Sequence, residues 1–424
     1  MTLKTALHRI DEHLEQGDAA SALAQCDILL NTESQNVAVW TRRGAALLLL
    51  DQAPEARRAF NKALNEDPAS GAAWNGLGKA FFDLDDLSAS SDAFGAAAAI
   101  FETLPASKEA ANEIASARYH QSMAQLAAGD FAAGWPLHEA RLGVTRMGFS
   151  DQTPPQWTGQ PIARRRLLVL FEQGFGDMIQ FARYLPRLGA LGCDLVVSAP
   201  ADLIPLLSPM APDATMIARG DGPMNALNAD FAVWLMSLPL LLETRNVTDI
   251  PTDIPYIEAP QKAAHKGPKQ DIDKISIGLV WAGRPSHPQD HQRSLDSALL
   301  APLFDIPGIQ FHCLQKVGDT HPAIASRFTR DWRDDLTSFS ATASILTQLD
   351  LVITVDTAVA HLAGAMGRPV WVMLPFAADW RWLRGRDDSP WYPTMQLFRQ
   401  IDAGDWNPVI AALRDALCDM TPDS

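Results

Sequence analysis

Cysteine is scarce: four residues in 424, Cys26, Cys193, Cys313 and Cys418, too far apart for a CxxC pair or a zinc pattern. Such spacing excludes a disulfide framework and points to free thiols in a reducing compartment. Positive charge is also short, with 35 Lys and Arg against 50 Asp and Glu and a formal net charge of −15. That balance argues against a general binder of nucleic acid or of an anionic membrane surface. Long apolar runs are missing too. The most apolar window, Phe231 to Leu242, is interrupted by Pro239 and is too short to span a bilayer. The first residues read as an amphipathic helix without a secretory core, so a cytoplasmic protein with no membrane span is expected. Neither a GxGxxG dinucleotide turn nor a Walker A loop occurs. Apolar residues nevertheless make up 47% of the chain, enough for two to three packed domains.

What is present begins with a repeat. Trp40 and Trp74, Gly44 and Gly78, Phe60 and Phe94, and Ala63 and Ala97 are each 34 residues apart. Trp74-x-x-Leu77-Gly78-x-x-Phe81 has the signature of the first helix of a tetratricopeptide pair, and Ala56-x-x-x-Phe60 with Pro68 that of the second. Ala22 and Cys26 hold the second-helix positions of a degenerate first repeat. Two weaker pairs are expected around Pro105 to Arg118 and Tyr119 to Leu142, giving three to five repeats over residues 1–149. Such arrays present a concave groove, typically to a peptide or protein.

Beyond the Thr153-Pro154-Pro155 break the period changes. Leu167 to Phe171 reads as a buried strand, Glu172 to Asp177 as a glycine turn, Met178 to Leu188 as a helix, and Cys193 to Ala199 as the next strand. This is a parallel βαβ unit. Further strands are expected at Thr215–Ile217 and Phe231–Trp234. A polar linker, Ala259 to Lys274, precedes strands at Ile275–Trp281, Ile309–Leu314, Leu351–Thr354 and Val370–Leu374. The expected division is therefore 1–149, 150–262 and 263–424, with the final helix, Pro408 to Cys418, crossing back onto the first α/β half. Two such halves place the carboxyl ends of their strands across a shared cleft.

Four segments carry the candidate chemistry. Val355-Asp356-Thr357-Ala358-Val359, with His361 one turn on, runs from strand to helix, and a helix start at that point seats a phosphate. Gly174 and Gly176 allow close approach to a ligand, and Asp177 beside them is either a helix cap or a general base. Trp281-Ala282-Gly283-Arg284, followed by Arg293, offers guanidinium groups to a diphosphate. Trp380-Arg381-Trp382 is suited either to stacking on a sugar or base or to packing against the protein. His287 and His291 lack cysteine or carboxylate partners, so no metal is expected.

Gln173 to Asp177 with Phe181-Ala182-Arg183-Tyr184, Val280 to Gly283, Arg293-Ser294, Val355 to Gly367, and Asp379-Trp380-Arg381-Trp382 with Ser389 to Pro393 resemble the bacterial tetratricopeptide-repeat glycosyltransferases related to heptosyltransferases, glycosyltransferase family 9. The architecture also resembles that of flagellin-modifying enzymes and, more distantly, of O-linked N-acetylglucosamine transferase, where repeats present a protein acceptor. The resemblance implies an α + α/β chain: helical repeats followed by a GT-B pair of Rossmann-like domains. It also implies metal-independent transfer from a nucleotide-sugar co-substrate, with no cofactor. Asp177 then becomes the base, and Asp356, Thr357, Ala358, Val359 and His361 bind the donor diphosphate. Ala358 replaces the usual glycine, and Arg284 or Arg293 stands in for the usual lysine. The acceptor expected is Ser or Thr of a flagellin-like protein held by the repeats. A cell-envelope glycan acceptor, or a catalytically dead scaffold, is the alternative. Asp271-x-Asp273 has the spacing of a metal-holding DxD but reads as solvated linker.

Overall fold

A computed structural model describes residues 2–145, 153–219, 227–260, 273–287 and 289–421. Both expected domain boundaries, the middle of the linker and Asp271 fall outside them. Two compact units result: Met1–Gly148 with Asp379–Arg384, and Phe149–Ala378 with Gly385–Ser424.

The first unit is helical: α1 (Leu3–Glu15), α2 (Ala19–Leu30), α3 (Val37–Leu49), α4 (Ala53–Glu66), α5 (Gly71–Asp83), α6 (Leu87–Glu102), α7 (Lys108–Ala127), α8 (Phe131–His138) and α9 (Arg141–Val144). Asp18, Asn36, Ser70, Asp86, Ser107 and Asp130 each cap the helix that follows, accepting a backbone N–H. The 34-residue period has a physical basis. A Cβ on Gly44 would lie 2.6 Å from the Phe60 ring, and one on Gly78 would lie 2.8 Å from Phe94, so the helices of each pair close onto an aromatic wedge. Trp40 and Trp74 donate from Nε1 to the carbonyls of Ser34 and Pro68, themselves one period apart. Ala22 and Cys26 are fully buried in the degenerate first repeat. The first helices of successive pairs, α1, α3, α5 and α7, also touch one another, forming one continuous row.

One expectation is corrected here. Residues 105–142 do not hold two further pairs, because α7 runs unbroken from Lys108 to Ala127 and pairs with α8. No glycine or proline interrupts it.

The second unit holds two sheets. The first half contains β1 (Arg166–Leu170), α10 (Phe175–Ala182), α11 (Leu185–Gly189), β2 (Asp194–Ala199), α12 (Ile204–Leu207), β3 (Thr215–Ala218), β4 (Phe231–Trp234) and α13 (Leu238–Leu241). The single helix expected over 178–188 is broken near Arg183, and Pro186 lies in the first turn of α11. The second half contains β5 (Ile275–Val280), α14 (Asp290–Arg293), β6 (Ile309–Cys313), α15 (Pro322–Ala325), β7 (Arg330–Asp331), α16 (Phe339–Leu346), β8 (Leu351–Val355), α17 (Ala358–Ala365), β9 (Val370–Leu374), β10 (Met395–Arg399) and α18 (Asn407–Met420).

Among the described residues these strands pair in parallel throughout, in the orders β3-β2-β1-β4 and β10-β9-β8-β5-β6-β7. β1 and β8 are almost wholly buried, as strands covered on both faces must be. In the second sheet the chain builds outward from β5 to one side, then resumes at β8 on the other. The order reverses between β5 and β8, and between β1 and β4 in the first sheet. Crevices open at such points beyond the strands' carboxyl ends. A second correction concerns α18. Its Val409, Ile410, Leu413 and Leu417 belong to the core of the second half, with Ile277, Leu279 and Ile353, rather than crossing to the first. Among the described residues no helix is long and apolar enough to cross a membrane.

Candidate active site

The turn after β8 is built to leave a helix start open. Thr357 is the N-cap of α17, extended at φ −142° and ψ 167°, yet its side chain makes no capping hydrogen bond. Its hydroxyl lies instead 3.0 Å from that of Thr354, which also donates to the Val355 carbonyl. The amino end of α17 thus keeps backbone N–H groups and the positive end of the helix dipole directed at the crevice. At the other end Gly367, with φ +65°, and Arg368 return their N–H groups to Gly364 and Ala363, a closure that requires the left-handed conformation glycine tolerates.

The start of α10 meets this helix. A Cβ on Gly176 would lie 2.7 Å from Cδ2 of His361 and 3.7 Å from the Ala358 α-carbon, so only glycine permits the approach. His361 is 4% exposed; its Nδ1 lies 3.0 Å from the Tyr392 hydroxyl and its Nε2 4.0 Å from an Asp356 carboxylate oxygen. Asp177, the next residue, is half-buried and reaches back to accept the Gly174 N–H at 2.9 Å. It therefore caps α10 while lying one residue from the contact between the two halves. Gln180, one turn on from Gly176, is fully buried, and neither of its amide atoms meets a hydrogen-bond partner among the described residues.

Arg293 completes the group. Its guanidinium donates to the Asp356 carbonyl at 3.2 Å and to the Asp290 carboxylate at 3.3 Å, joining the loop after β5 to that after β8. A Cβ on Gly283 would lie 2.5 Å from Nη2 of Arg293, and the Gly283 N–H is held by Ser294 Oγ at 2.9 Å. Gln315 braces the same loop, accepting the N–H groups of Trp281 and Ala282 and donating to the Ala282 and Val317 carbonyls.

Not every sequence candidate joins this cluster. Trp281 is a correction: its side chain is buried in the second-half core and stacks on Phe328, leaving only its backbone at the loop. Arg284 is exposed, and its side chain makes no hydrogen bond or ion pair among the described residues. Trp380, Arg381 and Trp382 are a second correction. They belong to the helical unit, where the Trp380 ring meets Trp135 edge-on at 5.5 Å and His138 at 5.8 Å. Arg381 lies over Trp380 and pairs with Asp379, while Arg384 of the same segment pairs with Asp85 and lies over Phe82. Both tryptophans are buried, so the packing alternative is the one observed and their faces are not open to a sugar. Ser294 and Tyr392 lie in segments that carried the resemblance but had no role assigned, and Gln315 carried no recognisable signal at all. Among the described residues no group of three or more His, Cys, Asp or Glu is arranged to hold a metal.

Residues 336–372, which contain the turn after β8 and all of α17, match the sequence profile of glycosyltransferase family 9 (heptosyltransferase). Protein FlbA of Caulobacter vibrioides is 26% identical over an alignment covering 92% of this chain and 68% of that protein. A glycosyl transferase family 9 structure from Veillonella parvula is 12% identical, with 57% of this chain and 88% of that chain covered at a TM-score of 0.41. The crystal structure of MamA is 20% identical, with 34% of this chain and 76% of that chain covered at a TM-score of 0.28.

Proposed function

We infer that this chain, a tetratricopeptide-repeat protein joined to a family 9-like glycosyltransferase, moves a sugar from a nucleotide-sugar to a hydroxyl of Ser or Thr in a flagellin-like protein bound along the repeats, without a metal ion. The glycosyltransferase assignment rests on the match over residues 336–372. The two parallel sheets are read as the paired halves of a GT-B enzyme, the second holding the donor.

One observation carries the reading: Gly176 of α10 lies against His361 of α17, beside an Asp356 loop that also receives Arg293. In the reaction the Asp177 carboxylate takes the proton of the acceptor hydroxyl as its oxygen attacks the anomeric carbon. The bond from that carbon to the diphosphate oxygen breaks, and the diphosphate leaves with the electron pair. The amino end of α17, Arg293 and a His361 N–H supply positive potential where that charge develops. In this reading they take the part a divalent cation plays in metal-dependent transferases. The unbroken row of first helices supports a peptide acceptor, since repeat arrays present such rows to extended chains.

Calorimetry of the full chain with UDP-, GDP-, CMP- and ADP-sugars, with and without EDTA, tests the donor. Binding of one of them, undiminished by EDTA, is expected. Binding to none favours the scaffold alternative, and loss in EDTA removes metal independence. With the donor known, Asp177→Asn should lower turnover by about 10²–10⁴-fold, the usual range for a general base. Unchanged turnover with chemistry rate-limiting would remove Asp177 from the role. Mass spectrometry of flagellin-like proteins from cells with and without the enzyme reads the acceptor.

A further inference from the structure

The His361 ring is held from behind by residues outside the motifs that define the turn. Tyr392, whose hydroxyl meets Nδ1, is fully buried. The guanidinium of Arg183 lies 4.7 Å from the centre of the Tyr392 ring, with the rings of Tyr256 and Trp391 at 5.0 and 5.4 Å. Arg183 follows α10 directly and is 3% exposed. It donates to the carbonyls of Gln180, Pro251 and Trp391 and to the Tyr256 hydroxyl. These partners are all neutral, so carbonyl dipoles and ring faces hold the buried charge, and no carboxylate among the described residues cancels it.

An uncancelled cation beside a phenol draws electron density from its O–H bond, making the hydroxyl a better donor and a poorer acceptor. Burial in turn keeps that hydroxyl protonated, well above its ordinary range. The Tyr256 hydroxyl, the other side-chain partner of Tyr392, already accepts from Arg183 and donates to the Ile179 carbonyl, so Nδ1 of His361 is the better acceptor for Tyr392. A Tyr392 that donates to Nδ1 leaves it the bare nitrogen and the proton of the neutral ring on Nε2. Nε2 lies on the edge that meets Gly176 and faces Asp356. The opposite tautomer would turn a lone pair toward the helix start, where it would repel a phosphate oxygen.

We propose that Arg183 and Tyr392 are positioning residues of the transfer site, fixing His361 as the Nε2–H tautomer with that proton at the junction of α10 and α17. This rests on the donor-diphosphate reading only for what the proton meets; the tautomer stands without it. Arg183 serves a second purpose by tying α10, the segment around Pro251 and the Trp391 loop to one cation.

Nitrogen-15 NMR of the full chain with labelled histidine tests the proposal, the His361 signals being assigned by their loss in His361→Gln. In the wild type, Nδ1 is expected to show the signature of a bare ring nitrogen and Nε2 that of a protonated one at neutral pH. Tyr392→Phe keeps the ring over Arg183 and should convert His361 to a mixture of tautomers. Arg183→Lys, which keeps the charge, should shift the populations less than Arg183→Met. An Nδ1–H tautomer in the wild type, or an unchanged spectrum in Tyr392→Phe, overturns the proposal. ADP, GDP, UDP and CDP serve as ligand probes. Whichever binds the wild type should bind Tyr392→Phe about 10-fold more weakly, roughly one hydrogen bond's worth. If none binds while the tautomer behaves as stated, the positioning roles stand and the diphosphate reading falls.

Discussion

Gly176 and His361, on helices from different sheets, are in van der Waals contact: a methyl group on residue 176 would come within 2.7 Å of imidazole Cδ2. The contact sets the spacing of two helix starts. Gly176→Ala should therefore displace His361 and weaken nucleoside diphosphate binding by about 10-fold or more, equivalent to about 1.4 kcal/mol. Stability should also fall, by about 1–3 kcal/mol for a methyl group forced into a packed contact, less whatever helix propensity alanine returns in the first turn. Gly189→Ala, where nothing lies within 4 Å, is the control and should leave binding unchanged in calorimetry.

Arg293 divides its hydrogen bonds between a carboxylate and a carbonyl on neighbouring loops. Lysine keeps the charge but loses the fork. Arg293→Lys should weaken nucleoside diphosphate binding by about 10- to 100-fold, from the roughly 1.5–3 kcal/mol of a charge-assisted hydrogen bond. Titration calorimetry reads the change, and unaltered affinity would place the diphosphate elsewhere.

Much of this arrangement was legible in the sequence, for identifiable reasons. The turn after β8 announces itself because an apolar run, a polar break and a helical period follow one another within a few residues. The period of the repeats is equally plain, since Trp40 and Trp74 solve the same packing problem one repeat apart. The links to Arg183 were hidden. It donates to the carbonyl of Trp391, 208 residues away, and backbone carbonyls carry no mark in a sequence. Trp380 misled for a related reason: tryptophan beside arginine in a loop describes both a stacking platform and a packed corner. β7, only two residues long, is too short to show any period.

Trp380 is packed as core, and its removal should show it. Trp380→Ala should cost about 3–5 kcal/mol, the usual range for a buried aromatic. Urea unfolding followed by hydrogen exchange on α7 and α8 checks both the size and the place of the loss.

Acid should destabilise the helical unit through its buried histidines. His138 is pushed well below its ordinary 6.5 by burial, then by Arg141 and Arg381, and neither ring nitrogen meets a hydrogen-bond partner among the described residues. Burial likewise pushes His120 down to about 4. Below pH 6.5 the unfolded chain binds the protons these rings refuse, so their contribution is full above that value and is lost as pH falls toward the folded values. Asp83 runs the other way: burial, then Asp51, raises it from 3.8 to about 6, so it favours the folded state more as pH falls through that window. Calorimetric scans between about pH 7 and 5 should show a falling midpoint, and His138→Phe should flatten the fall. An equal slope in the variant would exclude His138 as a source.

Asp379–Arg384 belongs to the helical unit, although the residues on both sides of it belong to the other. The chain therefore enters that unit twice, and no single cut separates the two. Deleting residues 1–148 to isolate the transferase would strand Trp380 without Trp135 and leave Arg384 without Asp85. Inactivity of such a truncation would report an orphaned corner as readily as a missing acceptor platform. A test of the proposed acceptor binding calls for point changes on the row of first helices, with the full chain left intact.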